Sequence, residues 1–396
     1  MDKTQTFYSF YKIQKNKSVL DRFFNGEKIA VKKYAVNLLT KMLEFYSPSG
    51  KERKIANFLF KKMEKLGYTV RLDSVGNIIG EIGAGSPIVM LCGHLDTVPG
   101  VIPVKRRKNV IIGRGAVDAK SALAAMIVAG SRFSKKNFIG KIIVIGVIDE
   151  EGKGRGIKNI IKEGLKADYA IFGEPSGVEN VTVGYRGRVE VRITCKTTPG
   201  HAGAHWLYDN SLERAYALWF LIKNAVSKWV KAGSYFNSAS ACLTMLRGGH
   251  SPNVVPGVSK MTIDFRIPPQ ISCKNLIDEV KTVIQQFKVE NPNVEIKMRT
   301  VDKIEAYEVD VNSKIVKALT TAISRTRKKD AKLLKKTGTG DMNVFGAKMK
   351  IPTVTYGPGS SRLEHTSNEY IKISEYLDSI KILQRALQEF FPIIRS

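Results

Sequence analysis

Ser86-Pro87-Ile88-Val89-Met90-Leu91-Cys92-Gly93-His94-Leu95-Asp96-Thr97-Val98-Pro99-Gly100 is the stretch that decides the fold. Ile88 to Cys92 is a continuous apolar run behind a Gly/Ser/Pro break, the pattern of a strand buried on both faces of a sheet. The run then stops on His94 and Asp96. In open α/β sheets ligands collect outside the carboxyl ends of the strands, so this imidazole and carboxylate stand where chemistry is done. Two residues apart on extended chain, their side chains point the same way, as a metal ligand and the carboxylate that orients it would. A plain polar loop after a core strand has the same spelling, and His-x-Asp alone does not separate the two.

Outward from this strand the pattern alternates. Upstream, apolar residues at helical spacing predict helices over 27–45 and 52–66, the first ended by Ser47-Pro48-Ser49-Gly50, with strands at 68–72 and 77–82. Downstream, a strand from Val110, expected in the same sheet, runs into the Gly-rich turn Gly113-Arg114-Gly115-Ala116-Val117-Asp118, and an Ala-rich helix follows over 119–133. Strands over 141–148 and 170–172 end on Asp149-Glu150-Glu151-Gly152 and Gly173-Glu174-Pro175. Apolar strands that repeatedly finish on carboxylates imply one polar site along a single sheet edge.

After Asn180 the texture changes to alternation (Val189, Val191, Ile193 against Glu190, Arg192, Thr194), the mark of a sheet with one wet face. Strand, helix, strand, strand, helix, strand follow in that order, the ferredoxin-like arrangement. The expected organisation is an N-terminal extension at 1–26, an α/β domain with a mixed sheet from 27–179 and 304–396, and an α+β domain inserted at 180–303.

With 396 residues, 43% hydrophobic and 25% charged, the chain reads as a globular protein of two domains. No apolar run approaches the roughly 20 residues that span a bilayer, and the start lacks the apolar core of a signal peptide, so a cytoplasmic protein without membrane contact is expected. Four cysteines without CxxC spacing argue against a disulfide framework and a thiolate zinc site. The formal charge of +28 is spread along the whole chain. Such a field draws acidic partners inward. No zinc finger, RNP-like aromatic motif or basic heptad accompanies it, which weighs against a nucleic-acid binder.

The chemistry-bearing residues are His94, Asp96, Asp118, Glu150, Glu151, Glu174 and, far downstream, His365 in Ser360-Ser361-Arg362-Leu363-Glu364-His365-Thr366. Singly, a carboxylate at a strand end is more often a helix cap. Together they are the nitrogen and oxygen donors that zinc or cobalt accepts, and one carboxylate between two cations makes a two-metal site.

Gly93-His94-Leu95-Asp96-Thr97, Gly113 to Lys120, Asp149-Glu150-Glu151-Gly152, Gly173-Glu174-Pro175-Ser176 and Glu364-His365-Thr366 resemble, in order, the signature stretches of the di-zinc aminoacylase/carboxypeptidase family. The resemblance implies that 27–179 with 304–396 is the catalytic domain and 180–303 a lid or dimerisation domain, and it implies two Zn2+ (or Co2+) ions per subunit, with Asp118 bridging them, His94 and Glu174 completing one site, and Glu151 and His365 the other. Glu150 would be the general base, Asp96 the orienting carboxylate, and the Asp118–Ala119 bond cis. In the inserted domain, His201 resembles a histidine that reaches the partner subunit's site in a homodimer, and Asn253 and Arg266 resemble residues that hold a substrate carboxylate. Arg188 and Gly357 are further candidates for substrate contact. Gly200-His201-Ala202-Gly203-Ala204-His205 departs from the His-Ser-Ser-type run common in the family, and neither His205 nor His250 receives a role.

Motif spacing looks most like the branch that hydrolyses lysine or ornithine from a small acidic amino-group carrier protein in lysine and arginine biosynthesis. A +28 chain suits such a partner. Deacylation of free N-acyl amino acids, of the acetylornithine or succinyl-diaminopimelate type, and dipeptide hydrolysis are the alternatives within the same chemistry.

Overall fold

The computed structural model describes residues 28–134 and 137–391; the expected extension at 1–26 lies outside them. The chain divides into two compact units: the described residues up to Val183 with Val309–Leu334 and those from Lys348 onward, and Gly184–Glu308 with Lys335–Ala347. The return of Lys335–Ala347 to the second unit departs from the boundaries expected of the sequence. In that unit Asn343 donates to the carbonyls of Glu305 and Arg186, and Gly346 lies where a Cβ would strike the Tyr307 ring.

In the first unit, helices α1 (Lys28–Glu44) and α2 (Arg53–Lys65) precede strands β1 (Thr69–Leu72), β2 (Ile78–Ala84) and β3 (Ile88–His94). Helix α3 (Lys120–Ser131), β4 (Gly140–Val147), α4 (Arg155–Lys162), β5 (Tyr169–Phe172) and β6 (Asn180–Tyr185) follow. The mixed sheet runs β1-β2-β4-β3-β5, then Thr353–Thr355, then β6. β4, β3, β5 and Thr353–Thr355 are parallel, so their carboxyl ends share one edge.

Strand β3 is buried from Val89 to His94, as its unbroken apolar run requires. Every residue of α3 is buried, and its small side chains let backbones approach: a Cβ at Gly130 would meet the Tyr68 hydroxyl, which donates to the Ile127 carbonyl at 2.7 Å. Helix Ile373–Phe390 packs on α3 and on Lys314–Arg327.

Two expectations are corrected here. Val110–Ile112 is not part of the main sheet; it forms a separate three-stranded sheet with Lys105–Arg106 and Tyr370–Lys372. Of its three residues only Ile111 is buried, with Val110 and Ile112 half-buried on either side, a run too short for a sheet interior. Helix α4, amphipathic over two turns, is absent from the expected elements because eight residues carry little periodicity.

The second unit holds a four-stranded antiparallel sheet in the order Ser240–Gly248, Val258–Ile267, Gly187–Lys196, Glu295–Ile304. Helices Ser211–Ser227 and Cys273–Glu290 cover it, their Leu218, Ile222, Leu276 and Ile284 meeting Val189, Val191, Ile193 and Phe265. The order strand, helix, strand, strand, helix, strand agrees with the ferredoxin-like expectation. The alternating stretch expected from 181 to 196 is two strands divided at Arg186; β6 is buried almost throughout, and only Gly187–Lys196 alternates.

Candidate metal centre

Three parallel strands of the first unit empty onto one spot. His94 ends β3, and its register partner on β4 is Val147, so Asp149-Glu150-Glu151 emerges beside it. On the other flank Cys92 pairs with Phe172, and the Gly173 amide donates to the Cys92 carbonyl at 2.7 Å, which brings Glu174 alongside. Asp118 arrives differently, from the turn that links the small sheet to α3. His365 comes from the loop before Tyr370–Lys372.

Asp118 stands in the middle. His94 Nε2 lies 3.1 Å from its Oδ1 and His365 Nε2 lies 3.1 Å from its Oδ2. Glu174 Oε1 is 3.7 Å from His94 Nε2, and Glu151 Oε1 is 3.1 Å from His365 Nε2. Donor atoms of His94, Glu150 and Glu174 come within 4.8 Å of one another, as do those of Asp118, Glu151 and His365. The two triads are therefore joined at Asp118, whose Oδ1 faces His94 of one and whose Oδ2 faces His365 of its own.

This set fits metal ions. Four carboxylates brought together repel, and cations relieve that cost. Nitrogen and oxygen donors with no thiolate suit a divalent metal of moderate hardness. In the metal-free protein, protons take up part of the charge. Hydrogen bonding to Asp118 pushes His365 up to about 9, with Glu151 adding to it. Burial opposes the charge on His94, yet Glu174, Asp118 and Asp96 hold it well above the usual imidazole range. Burial also lifts the Asp118 carboxyl, but His365 and His94 outweigh it and take it below the usual range. Burial and then Asp118 push Glu151 up.

Asp96 is fully buried and ties two arms together. Its Oδ1 accepts the Glu150 amide at 3.1 Å and its Oδ2 accepts the Glu151 amide at 3.0 Å and the Ser49 hydroxyl at 2.7 Å. His94 Nδ1 lies 2.9 Å from the Asp96 backbone carbonyl and 3.5 Å from its carboxylate, so the backbone is the nearer orienting group. The Asp118–Ala119 peptide bond is cis. Asp149 and His365 both have φ of 60°, a conformation non-glycine residues rarely adopt and one that gathers at functional sites. Gly357 touches the site through backbone: a Cβ there would lie 2.6 Å from the Glu174 carbonyl oxygen.

The remaining sequence candidates belong to the second unit. Strand Gly200–His201 pairs with Val254–Val255, and the Ala202 amide donates to the Asn253 carbonyl at 2.9 Å, so His201 and Asn253 are neighbours. His201 is exposed, and its Nδ1 accepts the Gly203 amide at 2.9 Å. Arg188 and Arg266 face each other across paired strands and share Asp264, at 2.5 Å and 2.7 Å. Arg188 also reaches Glu190 and Asp302, at 3.0 Å and 3.2 Å.

Several supports are not legible in the sequence. Glu52, only 3% exposed, accepts the Asp149 amide at 3.1 Å and the Gly50 amide at 2.8 Å. Glu369, 1% exposed, accepts amides of the turn that carries Asp118. The Ser47–Gly50 break is a visible signal, but it spells only a helix stop. Nothing local marks Glu369. Among the described residues no helix is long and apolar enough to cross a membrane.

The model of peptidase family M20/M25/M40 matches residues 90–389. A LysW-lysine/LysW-ornithine hydrolase of Saccharolobus islandicus is 33% identical over 367 residues, covering 92% of this chain and 98% of the relative. A Pyrococcus furiosus protein provisionally given the same name is 36% identical over 354 residues, covering 89% and 96%. Among solved structures, the aminopeptidase PepT of Bacillus cereus aligns with a TM-score of 0.77 at 21% identity, over 90% of this chain and 98% of that one. An M20 family metallo-carboxypeptidase from Sulfolobus solfataricus aligns at 0.74 and 20%, over 89% and 98%. The matched length, the identities and the shared architecture together mean that the chain belongs to peptidase family M20/M25/M40.

Proposed function

We propose that the chain is a dinuclear metal-dependent amide hydrolase that releases lysine or ornithine from an acidic carrier protein. The observation that carries the chemistry is the placing of His94 and His365 on the two oxygens of Asp118, each beside further carboxylates. The relatives' names support the substrate. In this reading two zinc or cobalt ions would be held by Asp118 together with His94 and Glu174 on one side and Glu151 and His365 on the other. When bound, the ions supply Lewis acidity that polarises the scissile carbonyl and acidifies water.

The chain's own groups do the rest. Glu150 and Glu151 are adjacent, and Asp96 clamps both of their amides. That clamp lets one side chain serve as ligand while Glu150 takes a proton on its carboxylate and returns it to the leaving amine. His201 would support the oxyanion at the active site of a partner subunit, and Asn253 would hold the substrate's carboxylate. Arg266 adds a guanidinium fork for a carboxylate. Arg188 shares Asp264 with Arg266 and keeps that fork in place. Gly357 keeps the Glu174 backbone close.

An acidic partner is favoured by the charge of +28 and by the hairpin Lys105-Arg106-Arg107-Lys108, all four exposed. The Arg106 side chain bonds Asn37, at 3.2 Å, and no ion pair among the described residues involves the four. A homodimer is favoured by the second unit: Tyr216, Phe220 and Leu221 are exposed on helix Ser211–Ser227, and Ser240–Gly248 is an edge strand. Four free cysteines suit the reducing cytoplasm.

The deciding assay compares carrier-linked lysine, carrier-linked ornithine, free N-acyl amino acids and dipeptides with zinc or cobalt added. Preference for a carrier conjugate, lost more steeply with salt than turnover of a small acyl-lysine, supports the proposal. Equal or better turnover of acetylornithine or succinyl-diaminopimelate would replace it with a free-metabolite deacylase.

A further inference from the structure

Glu369 has no place in the ligand set, yet both of its carboxylate oxygens are engaged. Its Oε1 accepts the amides of Val117 and Asp118, at 2.8 Å and 3.0 Å. Its Oε2 accepts the Gly115 amide and Arg114 Nη1, both at 3.0 Å. Its own carbonyl accepts the Gly113 amide at 3.2 Å. One residue thus closes the whole turn that presents Asp118. Arg114 Nη1 also donates to the carbonyl of Thr366, next to His365, at 3.0 Å.

Two otherwise independent arms are joined here. His94 and Glu174 leave the ends of β3 and β5 and are held by the main sheet. Asp118 and His365 sit on a turn and a loop outside it, and Glu369 with Arg114 is the joint between those two. A buried carboxylate facing four donors is hard to replace, because water would have to reach each amide in a space that is 1% exposed.

We propose that Glu369 is a positioning residue that sets the spacing between Asp118 and His365, and so governs the affinity of the second metal half-site, formed by Asp118, Glu151 and His365. The inference rests on the dinuclear reading of the cluster. Glu369→Gln tests it with little change of shape: whichever way the amide turns, one pair of donors meets another donor. Arg114→Met is the second variant, since it cuts the tie to Thr366 and leaves the three amide bonds of Glu369 in place.

Metal affinity is read by zinc titration against a chromophoric chelator, with the melting temperature of the metal-free protein measured alongside. In Glu369→Gln the weaker of two zinc affinities should fall by about 10–100-fold, the usual cost of losing a group that orients a metal ligand, and the tighter one by much less. Excess zinc should restore kcat toward wild type with KM unchanged. Arg114→Met should weaken the second zinc alone, by a smaller factor. A lower melting temperature with both affinities unaltered, or equal losses at both sites, would overturn the role of Glu369. Should Glu369→Gln fail to fold, unchanged zinc affinities in Arg114→Met would overturn it. A wild-type protein that takes up fewer than two zinc ions would overturn the dinuclear reading itself, and this inference with it.

Discussion

The two histidines of the cluster stand at the same 3.1 Å from Asp118 and are held in opposite ways. His94 is 1% exposed at the end of a central strand, its neighbours set by sheet register. His365 is 53% exposed on a loop, with φ of 60°, its place set by hydrogen bonds. One half of the centre is therefore built when the sheet forms, and the other depends on polar contacts between segments far apart in sequence. Equal distances conceal unequal rigidity.

The sharpest way to break this comparison concerns Glu150, which geometry groups with the His94 half. Glu150→Gln should lower kcat by about 10²–10⁴-fold with two metals still bound, as loss of a general base does. If metal content drops instead, Glu150 is a ligand of the buried half and the two halves have to be redrawn.

Next in size, His365→Ala should leave one zinc bound and barely move the melting temperature of the metal-free protein. His94→Ala should remove a buried side chain and lower that temperature by several degrees, consistent with about 1–3 kcal/mol. Equal effects on metal-free stability, followed by thermal unfolding, would mean that the halves are equally rigid.

Acid should separate them too. Below about 9 the His365 imidazole of the metal-free protein carries a proton that a metal must displace. Affinity of the exposed half should therefore rise with pH by at most about tenfold per unit for one proton, and level off above that value. Calorimetric titrations in buffers of different ionisation heat would count the proton released.

The smallest effect belongs to the buried half. Gly357→Ala would place a methyl 2.6 Å from the Glu174 carbonyl oxygen and 2.9 Å from the Ala122 Cβ, so one of the three has to shift. A cost of about 1–3 kcal/mol in urea unfolding is expected, with weakening of the tighter metal only. Loss of the weaker metal instead would show that the halves are mechanically continuous.

Much of this centre is legible in the order of residues along the chain. His94, Glu150, Glu151 and Glu174 follow apolar runs whose burial and parallel pairing follow from composition, so their convergence on one edge is expected. The order of elements in the second unit is equally legible, because alternation and helical spacing are local patterns. The off-sheet position of Val110–Ile112 and the break at Arg186 are not, since a short apolar run has the same spelling in a central sheet and in a small peripheral one.

By itself, then, the sequence determined which donors exist, the strands that deliver most of them, and a charge that favours acidic partners. Tertiary structure alone decided that Glu369 would hold the amides of a turn some 250 positions upstream, that Ser49 would bond Asp96 and Glu52 the Asp149 amide, and that Arg266 would share a carboxylate with Arg188. The physical reason is range: periodicity and turn chemistry act over a few residues, whereas a buried polar group takes whichever partner the finished packing leaves within about 3 Å.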